Sequence, residues 1–133
     1  MNTTNIAIGA LVAAGVAGIV WWQSAANSAS QAVQVNMPVL DEVQTAGQRL
    51  FAASCASCHG ANAGGTGQGP PLIHIYYEPN HHPDAAFYSA VAIGVRQHHW
   101  KFGNMPAVKA VDQNEVAKII AFVRAVQREN GIK

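Results

Sequence analysis

The residues with the clearest chemical potential lie in one short stretch, Cys55-Ala56-Ser57-Cys58-His59. Cys55 and Cys58 are the only two cysteines of the chain. Side chains three apart are neighbours on a helical turn, so both thiols would lie close together with the imidazole directly after them. Such a group can act as a redox dithiol, bind zinc, or attach a prosthetic group covalently while the histidine ligates its metal.

The surroundings of this motif distinguish the three chemistries. A thioredoxin-like dithiol normally accompanies a βαβ pattern, and no stretch of this chain alternates convincingly as a strand. A zinc site would need a second pair of ligands at a finger-like spacing, which this sequence lacks. The pattern C-x-x-C-H therefore favours haem attachment, in which both thiols add to the vinyl groups and His59 ligates the iron.

Three segments with helical periodicity surround the motif. Residues 41–54 repeat apolar side chains along one face and carry acidic residues in the first turn. Residues 83–95 begin at a proline and repeat apolar side chains every four residues as far as Val95. Residues 112–127 open with an aspartate and a glutamate three apart, which is the spacing of a capping box.

Two segments between the predicted helices are expected to be loops. Residues 60–71 hold five glycines and two prolines, and residues 101–110 surround Gly103 and Pro106. Helices joined by such loops, without strands, predict an all-α domain.

The stretch 43–128 resembles a small class I c-type cytochrome, a family whose members carry one haem. In that family the first helix has a glycine and an aromatic residue ahead of the haem motif, and Gly47 and Phe51 match them. Phe122 resembles the family's aromatic residue on the last helix. In the family, the glycine of the first helix lets the last helix cross it closely. Gly69-Pro70 matches a pair that recurs after the haem histidine. The resemblance implies a cytochrome c-like domain of three to four helices around one covalently bound haem c.

The same resemblance implies roles for individual residues. Cys55 and Cys58 hold the haem, His59 is one axial iron ligand, and the Pro70 carbonyl accepts a hydrogen bond from His59 Nδ1–H. The sixth ligand is usually a methionine from a late loop, often in Met-Pro, and Met105 fits that pattern. Another histidine in this position remains an alternative.

Further polar residues lie ahead of Met105. By analogy, Arg96 and Trp100 donate hydrogen bonds to the haem propionates. Five more histidines are unusual in so short a domain: His74, His81, His82, His98 and His99. They are interpreted as loop residues, some of them bonded to a propionate; alternatively, either adjacent pair forms a secondary metal site or part of a docking face.

The N-terminal part of the chain is uncharged, since no Asp, Glu, Lys or Arg precedes Asp41. Residues 6–22 are continuously apolar and would span about 25 Å as a helix, at the lower edge of the bilayer-spanning range. We expect residues 1–23 to form one N-terminal transmembrane anchor, with a cleaved signal peptide as the alternative. Residues 24–40 are predicted to be a flexible linker, and residues 41–133 the cytochrome c domain.

Composition argues against several classes of function. The formal net charge is +1 and no basic run is present, so a nucleic-acid partner is not expected. No carboxylate pair, nucleophile–base pair or second cofactor motif suggests an enzyme.

We expect a one-electron carrier that works between membrane redox complexes of a respiratory or photosynthetic chain. The expected location is a bacterial inner membrane, with a single-pass anchor in the lipid bilayer and the haem domain facing the periplasm. The alternatives are a haem subunit of an oxidoreductase complex and a haem-based enzyme or sensor with an open iron site.

Overall fold

The computed structural model describes residues 32–133, and this part of the chain is all-helical apart from one isolated β-bridge. Four α-helices and one short 3-10 turn follow each other in the order α1 Glu42–Ser54, α2 Ala56–His59, the turn Ile75–Tyr77, α3 Asp84–Ile93 and α4 Gln113–Glu129. The prediction of an all-α domain of three to four helices is confirmed for these residues.

None of the helices within residues 32–133 combines the length and the apolar character needed to cross a bilayer. The predicted anchor over residues 1–23, and residues 24–31 of the predicted linker, lie outside the described part of the chain.

Side-chain caps determine where α1 and α4 begin. The Asp41 carboxylate accepts from the Gln44 N–H at 2.8 Å, and the Gln44 side chain accepts from the Asp41 N–H at 3.1 Å. Asp112 and Glu115 form the same reciprocal pair, with both distances 2.9 Å. The capping box predicted for the last helix is thus confirmed, and the first helix has one as well.

Helix α3 is shorter than the predicted segment 83–95. It ends at Ile93 because Gly94 adopts φ 79° and ψ −177°, an extended conformation with positive φ that suits glycine and cannot continue a helix. The apolar spacing in the sequence predicts that the helix includes Val95. In the structure, the backbone of Val95 instead exchanges two hydrogen bonds with that of Met105, at 2.9 and 3.0 Å. The prediction was therefore wrong for Gly94 and Val95.

The crossing of α1 and α4 forms the centre of the core. Phe51 and Phe122 are both buried, and their ring centroids lie 5.5 Å apart. At the crossing, the backbone of Gly47 lies against the carbonyl of Lys118, so closely that a Cβ atom would overlap the oxygen. The close crossing implied by the family resemblance is therefore present.

Residues 32–40 lie against the domain, whereas the sequence predicted a flexible linker there. The Val33 N–H donates to the Gly64 carbonyl at 2.7 Å. Asn36 and Asn130 exchange two hydrogen bonds between side chain and backbone, at 2.9 and 2.8 Å. The apolar side chains of this segment also pack on the core, namely Val35, Met37 and Leu40. The packed domain therefore extends N-terminally of residue 41.

A buried arginine connects α4 to the loop between α2 and α3. The Arg124 side chain is 7% exposed and donates to Asp84 Oδ1 at 2.8 Å, to the Tyr77 carbonyl at 2.8 Å and to the His82 carbonyl at 2.6 Å. Its guanidinium also contacts the buried Gln127 side chain at 2.6 Å. These bonds satisfy backbone groups that the loop itself leaves without helical partners.

The helix crossing is tested by Gly47→Ala. Alanine has the better helix propensity by about 1 kcal/mol, but its Cβ would overlap the Lys118 carbonyl and force the helices apart. We expect the free energy of unfolding to fall by about 1–3 kcal/mol, measured by denaturant titration of the haem-loaded protein. Arg49→Ala, at an exposed position of the same helix, should change stability by less than about 0.5 kcal/mol. Equal effects of the two variants would contradict the close crossing.

The Arg124 network is tested by comparing Arg124→Met with Asp84→Asn. Methionine keeps much of the side-chain volume but removes the donors to two carbonyls, so we expect a loss of about 2 kcal/mol or more. Asp84 is 61% exposed, and its substitution should cost less than about 1 kcal/mol. Thermal or denaturant unfolding measures both. A larger loss in Asp84→Asn would show that the ion pair, and not the carbonyl contacts, stabilises the loop.

Candidate functional site

The cysteine–histidine motif forms one helical turn directly after α1. Cys55 has φ −124° and ψ −31°, which ends α1 and lets α2 start in a new direction. The Cys58 and His59 N–H groups both donate to the Cys55 carbonyl, at 3.2 and 3.0 Å. Gly60, with a φ of 79°, ends the turn. The helical placement that the spacing predicted for the motif is confirmed.

A cavity of about 540 Å³ opens beside this turn, and its lining is predominantly apolar. Its volume falls within the range of roughly 300–1,000 Å³ that is typical of cofactor sites. The cavity brings together most of the site residues predicted from sequence: Cys55, His59, Pro70, Arg96, Trp100 and Met105. Cys58 is not among the lining residues; it lies partly buried on the same turn, beside the backbone of Gly69.

His59 is held in one orientation and one tautomer. Its Nδ1 lies 2.9 Å from the Pro70 carbonyl oxygen, which confirms the expected hydrogen bond. A carbonyl can only accept, so Nδ1 carries the proton and Nε2 keeps its lone pair. Burial lowers the pKa of His59, while the bond to Pro70 partly opposes that shift. The side chain therefore offers a neutral imidazole nitrogen as a metal ligand.

The glycine-rich loop is fastened to the back of the motif. The Gly65 N–H donates to the His59 carbonyl at 2.7 Å, and the Thr66 hydroxyl donates to the Cys58 carbonyl. Gly65 has a φ of 88°, and a side chain there would meet Pro71. This compact loop positions the Pro70 carbonyl beside the imidazole of His59.

The electrostatics of the cysteines argue against a redox dithiol. Both are free thiols in this structure. Burial, with a smaller contribution from Cys58, raises the pKa of Cys55 to about 11. Reactive dithiols need a thiolate, and hence a pKa below the ordinary thiol value. With a raised pKa, Cys55 stays a neutral, partly buried thiol, which disfavours it as the attacking thiolate of thiol exchange.

Met105 is positioned by its backbone. The two-way pairing with Val95 fixes its main chain. The intervening loop is held by side chains: the Gln97 N–H donates to Asn104 Oδ1 at 2.9 Å, and the Gly103 N–H donates to Gln97 Oε1 at 2.6 Å. The Met105 side chain thus lines the cavity from a loop whose two ends are hydrogen-bonded to each other.

Three polar side chains lie along one part of the cavity lining. Trp100 Nε1 is buried and makes no hydrogen bond of good geometry among the described residues, although its side chain lies beside that of Tyr77. Burial raises the pKa of Tyr77 to about 12, and the contact with Trp100 partly opposes that shift, so the hydroxyl stays protonated at neutral pH. Arg96 is exposed and carries a permanent charge. Sequence analysis singled out Arg96 and Trp100 but missed Tyr77, because nothing local distinguishes it from Tyr76.

The observed residues fit a haem group. The site offers a thiol pair on one turn, an imidazole nitrogen with a free lone pair, a thioether on a fixed loop and an apolar cavity. The buried indole N–H makes no well-formed hydrogen bond within residues 32–133 and suits a carboxylate acceptor such as a propionate. Taken together, these groups meet the requirements of covalent haem attachment with two axial ligands.

Comparison with known proteins agrees with this chemistry. A protein-family model described as Cytochrome c matches residues 44–127, which is more than half of the chain. Searches of curated proteins and of solved structures gave no significant match. On the strength of the family match, the chain belongs to the cytochrome c family, whose domain binds haem c covalently and serves as a haem-based electron carrier.

Proposed function

We propose that this chain is a one-electron carrier with a closed haem site, in which Cys55 and Cys58 hold one haem and His59 and Met105 ligate its iron. When bound, haem c supplies the one-electron couple between ferric and ferrous iron. The observation that carries the proposal is that His59 and Met105 line one apolar cavity, with the tautomer of His59 fixed by Pro70.

The fold sets the orientation and the basicity of His59 as an iron ligand. The hydrogen bond from Nδ1–H to the Pro70 carbonyl fixes the plane of the ring and makes Nε2 more basic. The loop that supplies this carbonyl is itself bonded to the motif. Rotation of the imidazole would break its bond to Pro70, and because the loop holds that carbonyl in place, the ring keeps its orientation.

With haem bound, Met105 would be the second iron ligand and would close the iron site to oxygen and peroxide. A thioether ligand raises the reduction potential relative to a second histidine. The Val95 pairing and the Gln97–Asn104 contacts maintain the loop without using the Met105 side chain. That side chain lines the cavity and is therefore available as a ligand.

Trp100, Tyr77 and Arg96 line the cavity and would hold the propionates of a bound haem. An indole N–H, a phenolic O–H and a guanidinium can each donate to a carboxylate. The remaining apolar lining excludes water and lowers the local dielectric, which influences the potential. In this arrangement the protein orients the cofactor and sets its potential but performs no bond chemistry.

The physiological role we propose is electron transfer between membrane redox complexes of a respiratory or photosynthetic chain. Residues 1–23, as a single-pass anchor, would keep the haem domain at the periplasmic face of a bacterial inner membrane. The supporting observations are the uncharged apolar run over 6–22 and a near-neutral domain without lysine clusters. Because electrostatic steering is weak at such charge, a tether raises the effective concentration near the partner complex instead.

Covalent attachment is tested by the double variant Cys55→Ala with Cys58→Ala. Thioether bonds survive denaturation, so the native chain should retain haem on a denaturing gel and stain for it. The double variant should lose this staining completely. Ser57→Ala, at an exposed position inside the motif, is the control and should stain like the native chain. Retained covalent haem in the double variant would disprove the attachment site.

The sixth ligand is tested by Met105→His. Replacing sulfur with nitrogen should lower the reduction potential and remove the weak sulfur–iron absorption band at the red edge of the visible spectrum. Redox titration with optical detection measures both properties.

Met37→Leu is the matched control for Met105→His. Met37 packs against the hydrophobic core, and its replacement should leave band and potential unchanged. If the band persists in Met105→His, the sixth ligand is a residue other than Met105. Carbon monoxide binding by the reduced native protein would support the alternative of an enzyme or sensor with an open iron site.

A further inference from the structure

Two pairs of adjacent histidines, separated in sequence, meet beside the cavity. His81 Nε2 lies 3.1 Å from His99 Nε2, and His82 Nε2 lies 3.5 Å from His98 Nε2. Each of His81, His82 and His99 offers one ring nitrogen, and these three atoms lie within 4.8 Å of one another. We call His81, His82, His98 and His99 the histidine cluster.

The tautomers within the histidine cluster leave lone pairs directed at one another. His82 Nδ1 contacts the Tyr76 carbonyl, and His98 Nδ1 lies 2.9 Å from the Arg96 carbonyl. Carbonyls only accept, so both Nδ1 atoms carry the proton, and in the neutral rings both Nε2 atoms have lone pairs. Two lone pairs that face each other at 3.5 Å repel unless a proton or a metal ion lies between them. The Nδ1 bonds also match the usual support of metal-bound histidines.

The distances in the cluster suit a metal ion. Two nitrogens bound tetrahedrally to zinc at about 2.0–2.1 Å are roughly 3.3 Å apart. The observed separations of 3.1 and 3.5 Å bracket this value. These separations belong to two different pairs, but the ligand atoms of His81, His82 and His99 all lie within 4.8 Å of one another, so side-chain rotations can bring the three to one ion.

The surrounding structure holds the ligands in place before any metal binds. The backbone of His82 is fixed by the bond from Arg124 to its carbonyl at 2.6 Å. The ring of His99 stacks on Tyr76 with centroids 4.6 Å apart. A site with ordered ligands loses less entropy when it binds an ion than one on mobile loops.

The charges next to the cluster do not oppose binding. The Arg124 guanidinium is paired with the Asp84 carboxylate at 2.8 Å, which offsets its repulsion of a cation.

We propose that His81, His82 and His99, with His98 adjacent, bind one divalent transition-metal ion at the rim of the haem cavity. A set of imidazoles without thiolate or carboxylate suits Cu²⁺, Zn²⁺ and Ni²⁺, and the general affinity order places Cu²⁺ first. Mg²⁺ and Ca²⁺ prefer oxygen ligands and should not compete. Since His82, His98 and His99 also line the cavity, the ion would lie close to the haem.

The test is calorimetric titration of the full-length, haem-loaded protein with Zn²⁺ and, separately, with Cu²⁺. His81→Gln is the main variant, because His81 does not line the haem cavity and the visible haem spectrum can report that the fold is intact. His74→Asn is the matched control: it removes an imidazole outside the cluster, and its amide oxygen can still accept from the Tyr76 N–H. His99→Gln provides a second ligand variant.

We expect one equivalent of either ion to bind and Mg²⁺ not to bind. Affinity should fall on the order of 10- to 100-fold or more in His81→Gln and His99→Gln, and remain unchanged in His74→Asn. The electron paramagnetic resonance spectrum of bound Cu²⁺ should show nitrogen hyperfine coupling from imidazoles. Absence of saturable binding, or equal affinity in the native protein and both cluster variants, would overturn the proposal.

Discussion

The close crossing of α1 over α4 is the constraint on which the rest of the structure depends. With no side chain at Gly47, the two backbones meet at Lys118, and Phe51 can pack against Phe122. This crossing fixes the C-terminal end of α1, where Cys55 starts the motif, and it places Phe51 in the wall of the cavity. A single glycine thereby determines both the packing of the core and the position from which the haem is to be held.

Backbone carbonyls then decide which ring nitrogen is available for a metal in three of the histidines. The Pro70 carbonyl does so for His59, and the carbonyls of Tyr76 and Arg96 do so for His82 and His98. In every case Nδ1 donates and Nε2 keeps its lone pair. The proposed haem ligand and the proposed surface metal site therefore share one physical principle, although their histidines come from different loops.

Sequence predicts the features that depend on local chemistry. The capping box of α4 and the turn that carries Cys55 and His59 are set by residues within four positions of each other, and both are present. Of the features that depend on distant contacts, the crossing of α1 and α4 was implied only by the family resemblance, and the burial of Arg124 was not predicted. Arg124 is one of eight Lys and Arg residues, and its burial arises from partners 40 to 47 positions away.

The account rests most heavily on the claim that a nitrogen from His59 and the sulfur of Met105 together close the iron site. X-ray absorption at the iron edge of the haem-loaded native protein measures the ligands directly in both oxidation states. The account predicts one sulfur atom at bonding distance, with all other ligands nitrogen, in ferric and ferrous protein alike. An iron coordinated by nitrogen alone, or one that lacks a sixth ligand in either state, would contradict it.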